Sequence, residues 1–485
     1  MVDRLLIVSN RLPIALTKVR GSGWQAQPSP GGLVTALTPV LRRRRGLWFG
    51  WPGTSEGTGL DKPLAEASQD LGYALKAVPL SKTEINQYYL GFSNEIVWPL
   101  FHDFHSRCNF DPIYWKTYRA VNRRFAKAIE ADAGREDYVW VHDYHLMLVA
   151  RELRRLGVEN MVGFFLHIPF PPLDIYLKLP WRAEIIEGLL EYDLIGFQTP
   201  RDRNNFLQCV QAMFKGFRVD TRRRVTAITI DGHETMIGNF PISIDFMDFA
   251  RQAASKMVTE KASQLRQSLG NRHIILGVDR LDYSKGVPEK LRAFGYTLER
   301  FRDLREKITM VQILVPSRED ILGYQILRTE IEDLANQING KFARPGWTPI
   351  QHIFRTLGRS ELLAYYRAAD IALITPLKDG MNLVAKEYCA AKVDRDGVLI
   401  LSEFAGAASQ LHRNSLLVNP YDIEGIANAI RRGYHMSASE RQLRMQRLRK
   451  SIARRNVFWW ANSFIWAAAN KGDEYLPISS ESSSS

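Results

Sequence analysis

Short apolar runs punctuate this chain from end to end. They fall at 5–8, 138–141, 162–166, 194–197, 274–278, 310–315, 371–374 and 398–401, many of them rich in β-branched residues. Each has the length of a buried strand. Between most of them lie amphipathic stretches such as 146–156, 287–301 and 359–368, with apolar residues at helical spacing. Strand and helix in alternation predict a parallel sheet covered by helices on both faces. The runs are too many for one ordinary open sheet, and Phe240-Pro241-Ile242-Ser243-Ile244-Asp245 stands at mid-chain like a connector. The expected fold class is therefore α/β, with two doubly wound Rossmann-like domains at 1–243 and 244–455. A helix at 456–473 follows, in which Val457, Trp460, Phe464 and Ala467 recur three or four apart on one face. That face predicts a docking helix crossing back to the first domain, in preference to an aromatic platform for a sugar. The Ser-rich end, 474–485, is expected to be a disordered tail.

Composition narrows the class. Of 485 residues, 45% are hydrophobic and 24% charged, which excludes disorder or fibrous repeats as the main reading. The first apolar run is only four residues long with Asp3 ahead of it, so it reads as a strand and not as a signal peptide. No window approaches the roughly 18 apolar residues of a membrane span, so no membrane partner is expected. Cys108, Cys209 and Cys389 are few, odd in number and far apart, which fits a reducing cytoplasm and offers no metal-ligand spacing. The formal charge of +13 points to something anionic nearby, whether nucleic acid, a membrane surface or phosphorylated small molecules. Net charge alone does not choose among them.

Position along the sheet does. Open α/β sheets bind ligands beyond the C-terminal ends of their strands, so polar residues just after the runs carry most weight. Ser9-Asn10-Arg11-Leu12-Pro13 follows the first run, and Gly31-Gly32 opens a helical stretch where a phosphate can approach backbone amides. A Gly-Gly pair is equally an ordinary turn, whereas the guanidinium of Arg11 offers a planar, bidentate phosphate contact. Val141-His142-Asp143-Tyr144-His145 comes next, and Asp143 there suits hydrogen bonds from a hydroxylated substrate. His142, Asp143 and His145 could be read as metal ligands, but no third cluster and no water-activating glutamate accompany them. His167 repeats the placement after Phe164-Phe165-Leu166, ahead of prolines that stop the strand; a structural histidine is the alternative there.

In the second half Arg280 and Lys285 bracket the turn Leu281-Asp282-Tyr283-Ser284, so two cations can converge on one anionic group. The spacing suits a diphosphate without being a Walker loop. Arg318 follows another run. Asp379 and Glu387 are eight residues apart across a glycine turn and a helix start, with Gly380-Met381-Asn382-Leu383-Val384 between them, where amides can face an anion. Four cations, a helix start and several carboxylates make a cleft for a nucleotide diphosphate and a polyhydroxylated partner. A glycoside hydrolase would need the carboxylates without so many phosphate-type cations.

As they stand, these residues resemble the trehalose-6-phosphate synthase family of retaining glycosyltransferases with the GT-B fold. Ser9-Asn10-Arg11, Gly31-Gly32, Gly50-Trp51, Phe92-Ser93-Asn94 with Trp98-Pro99, the His142–His145 block, the prolines after His167, Arg280 to Gly286 and Asp379 to Glu387 all match, and the likeness runs from about residue 4 to 470. It implies two Rossmann-like domains facing each other across a substrate cleft, the first binding the acceptor and the second the nucleotide sugar. The implied reaction moves glucose from UDP-glucose to glucose 6-phosphate with retention, with no metal, no other cofactor and no nucleic acid. Carried over by position, Arg11, Tyr89, Trp98 and Arg318 would bind the phosphorylated acceptor and Asp143 its hydroxyls. His167 would lie beside the donor glucose, Arg280 and Lys285 would clamp the diphosphate, and Gly31 and Gly32 would approach the donor phosphates. Asp379 would meet the donor sugar, Glu387 the ribose, and Leu357 with Gly380, Met381, Asn382, Leu383 and Val384 the rest of the nucleotide. Asp143, His167, Arg280 and Lys285 are the implied catalytic set, acting by a front-face route in which the departing phosphate helps deprotonate the acceptor.

Three readings stay open beside it. A relative such as glucosylglycerol-phosphate synthase would use the same clamp with glycerol 3-phosphate. A non-catalytic regulatory protein or a nucleic-acid-binding protein would use the basic surplus instead. A homo-oligomer, dimer or tetramer, is left open as well. The arginines at 42–45, 222–224 and 441–455 have no place in the chemistry and are expected to be solvated faces or subunit contacts.

Overall fold

A computed structural model describes residues 4–19, 23–29, 31–44, 46–55, 59–220, 225–230, 232–317 and 321–470. Arg318, Arg45, Arg222 to Arg224 and the 474–485 tail lie outside the described residues. The chain divides into two compact units: one is Met1–Ile242 with the stretch from Val457 onward, the other Ser243–Asn456. Among the described residues no helix is long and apolar enough to cross a membrane.

The first unit is built on β1 (Leu5–Arg11), the hairpin β2 (Ile14–Val19) and β3 (Gly23–Pro28), β4 (Leu47–Trp51), β5 (Ala74–Ala77), β6 (Tyr138–His142), β7 (Val162–Phe165), β8 (Leu194–Phe197), β9 (Arg218–Asp220), β10 (Thr226–Ile230) and β11 (His233–Asn239). Apart from the hairpin they form one sheet in the order β5-β4-β1-β6-β7-β8-β11-β10-β9. Its first six strands, counted in chain order without the hairpin, run 3-2-1-4-5-6, the dinucleotide-fold order whose switch point lies between β1 and β6. Leu5 to Asn10, and all of β4, β6, β7 and β8, are buried, as expected of parallel strands covered on both faces.

The second unit repeats the plan with six parallel strands: β12 (His273–Arg280), β13 (Ile308–Val315), β14 (Ile350–Phe354), β15 (Ile371–Ile374), β16 (Val398–Ser402) and β17 (Leu416–Val418). Their order, β14-β13-β12-β15-β16-β17, is again 3-2-1-4-5-6, with the switch point between β12 and β15. β12 and β13 pair in unbroken register from His273↔Ile308 to Arg280↔Val315.

The helix Val457–Ala469 packs within the first unit. Val457, Trp460 and Phe464 are fully buried, and Phe464 stacks on Trp140 at 4.6 Å while Trp460 lies 4.9 Å from the same ring. Of the basic runs, Arg42, Arg447, Arg454 and Arg455 are exposed, whereas four other arginines make contacts within their own unit. At the end of the helix Gly32–Arg44, the Arg43 guanidinium lies 3.8 Å over Phe458, and Arg44 donates to Asn462 Oδ1 at 2.9 Å. In the second unit Arg441 pairs with Asp396, and Arg449 donates to the Cys389 and Ala390 carbonyls. Those carbonyls end the helix Leu383–Ala391, where a cation also suits the helix dipole. These arginines are docking groups, because a guanidinium stacks and forks where solvated lysine would not.

Candidate functional site

In the first unit the candidate side chains gather at the β1/β6 switch point. Between the pairs Val8↔Phe49 and Arg11↔Trp51, two residues of β1, Ser9 and Asn10, face one of β4, Gly50, a bulge that re-aims Arg11. Gly50 permits it: a Cβ there would lie 2.5 Å from Leu12 N and 2.6 Å from Arg11 C. Trp48 Nε1 donates to Ser9 Oγ, which in turn donates to the Arg11 carbonyl, while Tyr88 donates to Asn10 Oδ1 at 3.0 Å. The exposed Arg11 guanidinium carbon then sits 4.5 Å from the Trp51 ring centre and 5.3 Å from that of Tyr89.

Tyr89 stacks on His145 at 5.9 Å, His145 lies 3.9 Å from Tyr144, and Tyr144 lies 5.8 Å from Trp98. One aromatic layer thus joins Arg11, Tyr89 and Trp98 to the loop of Asp143. Trp98 itself is buried, 4.2 Å from His102. Asp143 is half-buried, with φ 75° and ψ 165°, a region that non-glycine residues avoid. Its Oδ1 accepts from the His167 amide at 3.3 Å. Gly31 and Gly32 stand at the start of the helix Gly32–Arg44, and a Cβ on Gly31 would meet no protein atom within 4 Å.

The three histidines do not converge as metal ligands would. His145 belongs to the aromatic layer, whereas His142 Nδ1 lies 3.1 Å from His167 Nε2 with both rings buried. Burial pushes His167 down to about 3, and burial with the neighbouring ring pushes His142 well below the usual imidazole range. Both are neutral near pH 7, so His167 shares a proton with its partner and is no reservoir of positive charge. Among the described residues no group of three or more metal-ligating side chains occurs.

In the second unit the candidates gather at the β12/β15 switch point. Arg280 ends β12 and is exposed. Asp282 caps the following turn by accepting from Ser284 N at 2.9 Å and Ser284 Oγ at 2.8 Å. Gly286 has φ +62°, and a Cβ on it would lie 2.8 Å from the Thr375 carbonyl, so glycine is what lets the turn press against the end of β15. Lys285 is thereby buried with its Nζ 2.6 Å from Asp379 Oδ2.

Asp379 is anchored in turn. Its Oδ1 accepts from Met381 N at 3.1 Å and its Oδ2 from Asn382 Nδ2 at 3.2 Å. Its own amide and carbonyl bond to Phe404 and Gly406. Asn382, at φ 63°, caps the helix Leu383–Ala391 by accepting from Ala385 N. Gly380 and Leu383 are buried; Met381 and Val384 are half-buried. On this helix Glu387 Oε2 accepts from the Tyr366 hydroxyl at 2.8 Å, and burial pushes its carboxyl up. Leu357 lies in the loop after β14, half-buried.

Several contributors were not picked out from the sequence. Lys290, fully buried, pairs with Asp279 Oδ2, which also accepts from Gln312 at 3.0 Å, directly behind Arg280. Their signal, a lysine inside an apolar helix face, is weak without a partner in view. Trp51 and His145 stood within the matching blocks, but without their contacts to Arg11 and Tyr89, which are long-range. Tyr88, Tyr89 and Asn94 lie on a π-helix, Ile85–Val97, whose wider turn ends with the Trp98 amide bonded to the Ser93 carbonyl. Such segments are frequent at functional sites and have no compositional mark.

The model of glycosyltransferase family 20 matches residues 3–470. The trehalose-6-phosphate synthase of Mycolicibacterium gilvum is 42% identical over 482 residues, covering 98% of this chain and 95% of its own length. Among solved structures, a UDP-forming α,α-trehalose-phosphate synthase from Burkholderia xenovorans in complex with glucose-6-phosphate has a TM-score of 0.87 at 36% identity, covering 96% of this chain and 100% of that one. An E. coli protein bound with UDP-2-fluoro glucose has a TM-score of 0.85 at 37% identity, covering 96% and 98%. The architecture is the expected GT-B type, with two Rossmann-like units.

Proposed function

Since the chain belongs to glycosyltransferase family 20, we propose that its two switch points divide the substrates, the acceptor going to β1/β6 and the donor to β12/β15. The reaction is transfer of glucose from UDP-glucose to glucose 6-phosphate with retention, giving trehalose 6-phosphate and UDP. The bond from the glucose anomeric carbon to the β-phosphate oxygen breaks, and its electron pair leaves with UDP. A bond forms on the same face to the anomeric hydroxyl oxygen of glucose 6-phosphate, whose proton passes to the departing phosphate.

The observation that carries the donor assignment is the convergence of Arg280, Lys285, Asp379 and a helix start on one switch point. Arg280 and Lys285 take the diphosphate and stabilise the charge that grows on it as the bond breaks, without a metal. Asp379 takes glucose hydroxyls, Glu387 the ribose, and Leu357 with the 380–384 segment the rest of the nucleotide. Gly31 and Gly32 let donor phosphate approach the helix that they open. Arg11, held over Trp51 and Tyr89, takes the acceptor phosphate, and Asp143 takes acceptor hydroxyls. Trp98 supports that site from beneath through Tyr144. His167, neutral beside His142, lines the donor glucose through its loop.

Arg280→Ala and Lys285→Ala are expected to lower kcat by about a hundredfold or more while the protein stays folded. A UDP-release assay with circular dichroism checks this, and near-normal turnover in either overturns the clamp. Run side by side with glucose 6-phosphate and glycerol 3-phosphate, the same assay tests the acceptor reading; turnover with glycerol 3-phosphate alone contradicts it.

A further inference from the structure

Lys285 and Asp379, read above as holding different parts of the donor, are bonded to each other at 2.6 Å. Each side chain is only 10% exposed. In so little solvent the attraction is strong, and either charge left alone is costly. The partners differ in freedom. Asp379 is fixed by Met381 N, by Asn382 Nδ2 and by its backbone bonds to Phe404 and Gly406. Lys285 reaches it on a flexible four-carbon stem from the Tyr283–Lys285 turn. A diphosphate arriving at this turn carries more charge than the carboxylate and competes for the ammonium. Asp379 then keeps its amide donors but loses its cation, and vicinal sugar hydroxyls are donors that can replace it.

We propose that donor binding exchanges this ion pair: the diphosphate takes Lys285, the glucose hydroxyls take Asp379, and after transfer the carboxylate reclaims the lysine and helps expel UDP. The proposal rests on the donor assignment above. Asp379 then discriminates between the two nucleotides by charge as well as by contact. UDP-glucose supplies both replacements; UDP supplies only one, so the buried carboxylate gives up Lys285 with no sugar hydroxyls in its place.

Calorimetric titration with UDP, and with UDP-glucose in the absence of acceptor, tests the exchange. Asp379→Asn is expected to tighten UDP about tenfold, ~1.4 kcal/mol, and to weaken UDP-glucose. In a Lys285→Met background the same substitution is expected to leave UDP affinity within about twofold. Weaker UDP binding in Asp379→Asn would mean that the carboxylate merely orients the lysine, and overturns the exchange. An equal gain with Lys285→Met would mean plain repulsion between the carboxylate and the phosphates, and overturns it too. If Lys285→Met alone leaves UDP affinity unchanged, the donor assignment itself fails. Should the variants not fold, the unmodified protein decides. Crystallised with UDP-glucose, it should show Lys285 Nζ on a phosphate oxygen and more than about 4 Å from Asp379. A pair still closed under bound donor overturns the exchange.

Discussion

Asp143 pairs an unusual backbone with a carboxylate proposed to take acceptor hydroxyls. At φ 75° and ψ 165° it occupies a region that is essentially glycine's, and such strain costs about 1–3 kcal/mol unless the surroundings over-determine it. Here they do, through its amide bonded to the Phe165 carbonyl and its carboxylate bonded to the His167 amide. Comparing Asp143→Gly with Asp143→Ala isolates the strain, because both lose the carboxylate. The glycine variant is expected to be more stable by about 1–2 kcal/mol in urea denaturation, with both turning over poorly. The nearby pair His142 and His167 has a second consequence. An unfolded histidine takes a proton near its ordinary 6.5, whereas native His167 resists until about 3 and His142 is also held well down. Between those values the unfolded chain binds more protons, so stability falls as pH falls, by up to about 1.4 kcal/mol per pH unit for each histidine. Urea midpoints at pH 7.5 and 5.5 check this, and His167→Gln is expected to shrink the drop between them.

At the scale of elements, two kinds of segment behave differently. The runs at 194–197 and 371–374 and the helix at 359–368 coincide with the observed elements, because apolar periodicity and burial agree there. The hairpin strand Gly23–Pro28 has no residue classed as buried, and β10 and β11 carry threonines and a histidine, so neither stands out as an apolar run. The π-helix Ile85–Val97 carries the candidate residue Tyr89. Its hydrogen-bond register places Tyr88 under Asn10 and Tyr89 under Arg11, and packing decides that register. Gly91 within it faces Tyr114, and an added Cβ would lie 2.7 Å from that ring. Gly91→Ala is expected to cost about 1–3 kcal/mol by overpacking and to raise KM for glucose 6-phosphate more than for UDP-glucose. A change confined to UDP-glucose would contradict the link between this helix and Arg11.

For the whole molecule, the C-terminal helix shows what one segment contributes to a unit formed mostly by residues far ahead of it. Val457–Ala469 supplies Trp460 and Phe464 to rings from β6 and β7, and receives Arg43 and Arg44 from the first helix. A chain ending at Asn456 is expected to expose Trp140, Phe165 and Phe240, bind a hydrophobic dye and melt well below the full chain. Equal melting temperatures would show that the helix is dispensable. The sequence by itself determined the α/β alternation, the stretch near 242 where the two units divide and the strand-end loops that carry the candidate residues, because strand periodicity and the residue types after strand ends are local properties. Only the tertiary structure decided that Lys285 bonds Asp379, that Arg11 lies over Trp51 and Tyr89, and that Arg43, Arg44 and Arg449 dock helices. Those partners are 40 or more residues apart in the chain, and only the sheet order brings them within reach.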